Sequence, residues 1–512
     1  MATIRLHPDV ALWVENRDLT DFGSPIGTRP DEETRRLFAP VLEHVEGHGV
    51  GDLARTSPIT MARAVAGAAF AEVVERDGRG AWRVRPRVLY PDVAKAGPHV
   101  LHIQRPDTDE GVHVRLPRPL WPPVHALIAA LSAEGHVEGS PLVDEVRELL
   151  AALHNQGFVE RGDDGDAPRA LQEQPEITFA GHNTVVVRSN TTSVLLDPFL
   201  HARRVTYPDS YQPLTRRELG PVDAIVLTHS HPDHFDPGSL LRFGCHVPVV
   251  VPSVEQETVL SVAMELRLKQ LGFERVSALA WGDRLRVGDI EIIALPFYGE
   301  QPAADDVLHP EVRNAGNTYV LRTPARTCAF VADAGRDPGG DVNDVARDWV
   351  GREGPIDVLF SGYRAWDLYP AQLLFSSVSR FLLFVPPALW GTRQRLMNGV
   401  DDALDLAERW GARYLVPYAD GGAPWYWDTG LGPRLDGTGQ ENATFDPFPE
   451  RVVEAAARRG QTATGSFIPS PVHVLLVRPG ESLTFAEDVP GVVRAPGHVW
   501  PYGEIEPTAS GT

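Results

Sequence analysis

Apolar residues recur at helical spacing between Trp121 and Leu153. Val124, Leu127, Ile128 and Leu131 mark one face, and after a turn Val143, Val146, Leu149, Leu150 and Leu153 mark a second. Gly157 follows where a helix end needs a residue free to take a positive φ, and Phe158-Val159-Glu160 then reads as a strand. Two short amphipathic helices with a strand behind them predict either a winged-helix-like unit or a helical packing element of a larger fold. Ahead of them the pattern is weaker: a helix around Ile59 to Val74 and short strands at Trp82 to Leu89 and Val100 to Ile103.

The polar stretch RGDDGDAPRALQE, from Arg161 to Glu173, divides this region from a different pattern. It sets the expected boundary between an N-terminal accessory or recognition domain, residues 1–173, and a catalytic domain, residues 174–512. Beyond it, Ile177 to Val187 and Ser193 to Leu196 read as a hairpin running into Asp197-Pro198, and Ala224 to Leu227 as a short buried strand. Further strands are expected at Val247 to Val251, Ile290 to Leu295, Thr318 to Leu321, Cys328 to Val331 and Tyr414 to Val416, alternating with helices at Val254 to Leu271 and Asp402 to Trp410. Such alternation predicts an α/β protein whose sheets are covered by helices.

At 512 residues the chain is long enough for two domains, and 43% hydrophobic with 23% charged residues is an ordinary globular composition. A formal charge of -21 with no Lys/Arg stripe makes nucleic acid and anionic membrane poor partners. No apolar run reaches the roughly 20 residues that cross a bilayer, and Met1 to Asp9 lacks a signal-peptide pattern, so a cytoplasmic location is expected. Cys245 and Cys328 sit in strand-like apolar contexts without CxxC spacing and read as small buried hydrophobes.

Thr228-His229-Ser230-His231-Pro232-Asp233-His234 carries the chemistry. Two histidines two apart on an extended segment point the same way and can grip one cation, while Asp233 and His234 turn toward a second. An apolar strand directly precedes them, which puts these donors at a strand's C-terminal end. Together with Asp197 in LLDPF and Asp333 in AFVADAG, this HxHxDH string resembles the metallo-β-lactamase superfamily over roughly residues 176–480. The resemblance implies an αββα sandwich with a dinuclear metal site at one sheet edge, bridged by Asp333. It leaves the reaction open, because hydrolases, flavin-linked iron proteins and oxygenases share the fold.

One departure from the family pattern narrows the choice. After the strand Ile290 to Pro296, where family hydrolases place a histidine, the chain reads Phe297-Tyr298-Gly299-Glu300. Glu300 stands at the ligand position, with His309 the competing donor further on. The last family histidine is also missing: Tyr418-Ala419-Asp420 follows the strand Tyr414 to Pro417, and Asp420 is either a carboxylate ligand or a turn residue beside Gly421-Gly422. His229, His231, Asp233, His234, Glu300, Asp333 and Asp420 would make a site of three imidazoles and up to four carboxylates. Such oxygen-rich ligation suits iron or manganese better than zinc.

A separate N-terminal region, the HxHxDH string, a glutamate in place of the middle histidine and a bridging aspartate together resemble the dinuclear-iron β-hydroxylases of chloramphenicol biosynthesis. The resemblance implies two iron ions, with His229, His231 and Glu300 on one, Asp233 and His234 on the other, and Glu300 and Asp333 at the reacting centre. It further implies dioxygen as co-substrate, an external electron donor or reductase, and an amino acid held on a nonribosomal peptide synthetase carrier domain. The rival readings are a dinuclear hydrolase of a phosphodiester, lactone or amide, and a non-enzymatic binding module with a remnant site. Arg364, Trp366 and Asp367, and Trp425, Tyr426 and Trp427, line a substrate channel or simply pack. His182 in AGHNT either stands behind the metal ligands or is a hydrogen-bonded structural histidine, the reading preferred here.

Overall fold

The computed structural model describes residues 3–15, 74–76, 78, 80, 82–85, 99–108, 110–162, 174–200, 202–205, 207, 211–258, 261–301, 308–309, 312–370, 384–385, 387–419, 447–460, 472–486 and 489–494. In the N-terminal region these form β1 (Thr3–Leu6), β2 (Ala11–Glu15), β3 (His99–Gln104), β4 (Gly111–Leu116), α1 (Trp121–Ser132), β5 (His136–Val137), α2 (Asp144–Asn155) and β6 (Val159–Gly162). The expected helix pair is present. Gly157, at φ +66°, ends α2 as anticipated: its N–H bonds to the His154 carbonyl and that of Phe158 to the Leu153 carbonyl, the paired reach-back of a Schellman end. Val143, expected on the buried face, instead precedes α2 in extended conformation and is exposed. What periodicity could not show is that β1, from the far N-terminus, lies between β5 and β6 as the centre of a three-stranded sheet.

The expected helix at 59–74 lies outside the described residues except for Val74, which begins a strand, Val74–Arg76. Of the strand expected at Trp82 to Leu89, Trp82–Val84 is observed, and Val100 to Ile103 lies within β3.

Two large mixed sheets follow. Strands β7 (Ile177–Gly181), β8 (Thr184–Arg188), β9 (Ser193–Leu196), β10 (Ala224–Val226), β11 (Val249–Pro252) and β12 (Val276–Leu279) belong to the first, with helices α3 (Pro237–Leu241) and α4 (Met264–Gln270) between them. The second contains β13 (Arg284–Val287), β14 (Ile290–Pro296), β15 (Asn317–Arg322), β16 (Thr327–Phe330), β17 (Val358–Ser361), β18 (Tyr414–Pro417) and β19 (His473–Val474), with α5 (Val342–Glu353), α6 (Val400–Arg409) and α7 (Glu450–Arg459). Strands β20 (Glu481–Ala486) and β21 (Val489–Arg494) return to the first sheet, whose order is β12-β11-β10-β9-β8-β7-β20-β21; the second runs β13-β14-β15-β16-β17-β18-β19.

Strand residues pointing to opposite faces enter different cores, as a period of two requires. Val226, Ile292, Ala294, Tyr319 and Phe330 pack between the sheets, whereas Ile225 and Val249 face outward from the first sheet and Ile293, Leu295 and Val320 outward from the second. The outer face of the second sheet is covered by α5, α6 and α7. This is the αββα sandwich, and strands buried on both faces explain the near-continuous apolar runs in the sequence. The helix expected from Val254 to Leu271 is cut to Met264–Gln270. Tertiary hydrogen bonds claim the segment before it: Ser261 Oγ donates to the Arg313 carbonyl and accepts the Ala315 N–H, and Ser230 Oγ accepts the Val262 N–H.

The outer face of the first sheet is covered by α3, α4 and the N-terminal region, which share one apolar cluster running from Ile4 through Trp121 and Phe158 to Phe273. Gly238 of α3 lies so close to β2 that a Cβ there would sit 1.9 Å from the Leu12 carbonyl oxygen. Deep in the same layer His125 donates Nε2–H to the Leu271 carbonyl at 2.8 Å, with the Phe273 ring 4.7 Å away. Burial pushes its pKa down to about 4.

Gly238→Ala should cost at least about 3 kcal/mol in urea unfolding, because a methyl group meets a backbone oxygen that cannot give way. Gly351→Ala, in α5 with nothing within 4 Å, should instead be stabilising by up to about 1 kcal/mol. His125, with its folded pKa below the unfolded value of 6.5, contributes stability that is whole above pH 6.5 and is lost as pH falls toward 4. His125→Gln should therefore have a shallower loss of stability across that window than the parent chain.

Candidate metal centre

The site lies where the C-terminal ends of β10, β14 and β16 meet. Strand β10 runs through Leu227 into Thr228, whose N–H and Oγ–H both donate to the buried Asp197 carboxylate, at 2.7 and 2.6 Å. His229 follows directly, and His231 stands at a bend two residues on. A single turn follows, in which the N–H groups of His234 and Phe235 bond to the His231 carbonyl at 3.0 and 2.8 Å. That turn swings Asp233 and His234 away from the first pair. Asp236 stops it by accepting the Gly238 and Ser239 N–H groups at the start of α3.

Three overlapping clusters result, each with ligand atoms within 4.8 Å of one another: His229, His231 and Glu300; His229, His234 and Asp333; His182, Asp233 and His234. Glu300 reaches both histidines of the first, with Oε1 2.5 Å from His231 Nδ1 and Oε2 3.1 Å from His229 Nε2. His234 Nε2 lies 3.3 Å from Asp333 Oδ2 and 3.7 Å from Asp233 Oδ2. His182 Nε2 is 2.9 Å from the same Asp233 oxygen. Six of the seven residues expected as ligands are thus gathered. The seventh, Asp420, lies outside the described residues, as do Trp425, Tyr426 and Trp427. His309, the alternative to Glu300, belongs to none of the clusters among the described residues; its ring packs against Phe384 at 4.9 Å. Arg364 and Trp366 are partly buried, and between them the Ala365 carbonyl accepts from Leu396, whose own carbonyl accepts the Glu300 N–H at 2.6 Å.

Hydrogen bonds behind the cluster orient its donors. Asp197 Oδ2 accepts from His234 Nδ1 at 2.8 Å, which leaves Nε2 to face Asp333. Thr228 Oγ1 is 3.0 Å from His229 Nδ1, so that ring also aims Nε2 inward. Asn314 Nδ2 holds Glu300 Oε2 at 2.6 Å. Nothing local in the sequence marks Asn314, and His182, for which a structural role was the preferred of two readings, bonds to Asp233. The backbone is strained where these groups project: His182, Asp197, Glu300 and Ala332, the residue before Asp333, have φ of +52°, +37°, +64° and +46°. Such conformations cost of order 1–3 kcal/mol each and persist where surrounding bonds hold them. Here the Ala332 N–H donates to the Tyr418 hydroxyl and the His182 carbonyl accepts from Ala419.

Among the described residues, the opposite charges that act on Asp233 and Glu300 are the cluster's own imidazoles. Burial alone would lower His234, but Asp233 and Asp197 outweigh it and hold the ring well above the usual range. Burial would raise Asp233, yet His234 and His182 pull it well below the usual carboxylate range; Glu300 is likewise pulled down by His229 and His231. Burial lowers His229. The donors fit bound cations: His229 Nε2 and Asp333 Oδ1 are buried and make no hydrogen bond, and the three clusters share residues in a chain that makes two adjacent positions. His229, His231 and Glu300 would hold one ion, Asp233 and His234 with His182 nearby the other, and Asp333 sits between them.

Residues 192–418 match the family model described as a beta-lactamase superfamily domain, so this segment is a metallo-β-lactamase-fold domain. Within that class the chain resembles diiron hydroxylases. The 4-amino-L-phenylalanyl-[CmlP-peptidyl-carrier-protein] 3-hydroxylase of Streptomyces venezuelae is 29% identical over 206 residues, which are 38% of this chain and 35% of that protein. The match therefore spans about a third of that relative's length. The crystal structure of CmlA, a diiron beta-hydroxylase from Streptomyces venezuelae, aligns over 96% of this chain and 100% of that one, with a TM-score of 0.61 at 16% identity. Igni18, a metallo hydrolase of Ignicoccus hospitalis, covers 62% of this chain and 98% of its own at 11% identity, with a TM-score of only 0.36.

Asn314→Ala should weaken metal binding about 10- to 100-fold by freeing Glu300, as loss of an outer-shell partner does elsewhere. Glu300→Ala should lose the first ion outright. Equilibrium dialysis with metal analysis reads both, and unchanged metal content in Glu300→Ala would discard the ligand assignment.

Proposed function

We propose that the protein is a non-haem diiron oxygenase that hydroxylates an amino-acid substrate tethered to a carrier protein, in secondary-metabolite biosynthesis. The observation that carries this reading is Glu300. Two imidazoles and one carboxylate on a single cation, with coordination positions to spare, are the donor set of non-haem iron oxygenases; zinc peptidases use the same set, and Asp233 and Asp333 beside Glu300 make this site richer in oxygen donors, which favours iron. The Streptomyces venezuelae relative, a 3-hydroxylase of a carrier-bound amino acid, supports the substrate class.

Bound iron would supply the binding and reductive activation of dioxygen. The protein's own residues do the positioning. Asn314 holds Glu300 Oε2 and so orients the carboxylate beside His229 and His231, and Asp197 fixes which nitrogen of His234 faces the second ion's position. Asp333, with one oxygen near His234 and the other unpartnered, is placed to be shared. Hydroxylation of a C–H bond by dioxygen incorporates one oxygen atom and reduces the other to water, which takes two electrons and two protons from outside; an external reductase is the partner that supplies the electrons. At the rim, Trp281 is 40% exposed, donates Nε1–H to the Gly316 carbonyl at 2.9 Å and carries the Arg313 guanidinium 5.7 Å from its ring. Gly316 backs directly onto His229. This gives an approaching aryl or anionic group a stacking and cationic surface beside the site.

Iron-loaded, chemically reduced protein should take up dioxygen in the presence of an amino-acid thioester on a carrier domain, and the product should gain one oxygen atom. As-isolated protein holding two zinc ions, which hydrolyses a phosphodiester, lactone or amide and consumes no dioxygen, would make it a hydrolase instead.

A further inference from the structure

We propose a second, separate metal site at Cys245, His246 and Glu274, suited to one thiophilic divalent cation such as zinc. Its three ligand atoms lie within 4.8 Å of one another, and none belongs to the dinuclear centre. Cys245 Sγ is 3.6 Å from His246 Nδ1 and 3.9 Å from Glu274 Oε1. A tetrahedral zinc with ordinary Zn–S, Zn–N and Zn–O bonds places sulfur roughly 3.5–3.6 Å from each neighbouring N or O ligand. The protein thus already presents sulfur and nitrogen at the spacing the ion needs, with the carboxylate a few tenths of an ångström outside it. A water completes the fourth position, since His246 and Glu274 are exposed.

The backbone holds these donors together from distant parts of the chain. Cys245 and His246 lie in the turn after α3, and Gly244 at φ +83° makes that turn. Glu274 lies in the link from α4 to β12, and its N–H donates to the Cys245 carbonyl at 3.0 Å. These two segments form the seat of α1. A Cβ on Gly244 would touch Ala129, one on Gly272 would touch Trp121, and Leu271 accepts the His125 hydrogen bond. A cation here would clamp the seat and so fasten the N-terminal region to the first sheet.

Burial and the nearby Glu274 push the Cys245 thiol up, so without a cation it stays protonated. Binding breaks the S–H bond, forms the sulfur–metal bond and releases the proton to solvent; no oxidant or reductant is involved. The other thiol, Cys328, is sealed between the sheets at 0% exposure, where its sequence reading as a small buried hydrophobe fits. Because the dinuclear centre's donors include no sulfur, a thiolate-to-metal band reports this site alone.

The test adds excess Co2+ to the whole chain with its dinuclear centre filled and loosely held ions removed. One further equivalent should bind, with a near-ultraviolet thiolate-to-cobalt charge-transfer band and release of a proton. Cys245→Ser should lose the band, and Cys328→Ser should keep it. His246→Ala, at an exposed position that leaves folding intact, should bind the added ion at least tenfold more weakly. No band in the parent chain, a band that survives Cys245→Ser, or unchanged affinity in His246→Ala would overturn the site.

Discussion

Four carboxylates and four imidazoles crowd one buried space, and their charge balance is the constraint on which the rest of the structure depends. Asp197, Glu300 and Asp333 are buried and Asp233 nearly so, with His182, His229, His231 and His234 as their neighbours. Removing a single ion from water costs several kcal/mol even after relaxation, and is offset only by close opposite charge. Shared protons on the histidines provide part of it. Two divalent cations would provide the rest, with His229 Nε2 and Asp333 Oδ1 buried and making no hydrogen bond.

Much of the scaffold serves to hold that arrangement. The two sheets bring β10, β14 and β16 to one edge, and a turn or left-handed residue at the end of each aims a donor at the same point. His182 enters from the turn between β7 and β8. The N-terminal region is tied in through α3: Leu12 presses on Gly238, and Asp236 caps the same short helix two residues after His234. Loosening the N-terminal region should therefore be felt at the loop that carries the metal-facing histidines.

How far the sequence revealed this depends on how local each signal was. The strands of the sandwich announced themselves because burial on both faces leaves apolar runs, and His229 to His234 because its donors are consecutive. Glu300 was legible only by position, as the carboxylate after β14 where a histidine was expected. Asn314 left no local mark, and His182 in AGHNT could not be told from a structural histidine. They act through contacts with residues 14 and 51 positions away in sequence, and nothing in a run of neighbours encodes such pairing. The helix expected from Val254 failed for a related reason: its apolar spacing was real, but Ser261 and Val262 are bound across the fold to Arg313, Ala315 and Ser230. Likewise β1 gave no hint that it completes a sheet with strands more than a hundred residues later.

We propose that Glu300 takes the place of a histidine on the first metal ion and so turns this fold toward iron and oxygen. A crystal structure of the iron-loaded protein, with each ion located by its anomalous scattering, tests it most directly. The account predicts an ion bound by His229, His231 and Glu300, with a second beside Asp233 and His234 and Asp333 between the two. An ion coordinated by His309, or a Glu300 side chain turned away from both metals, would contradict it.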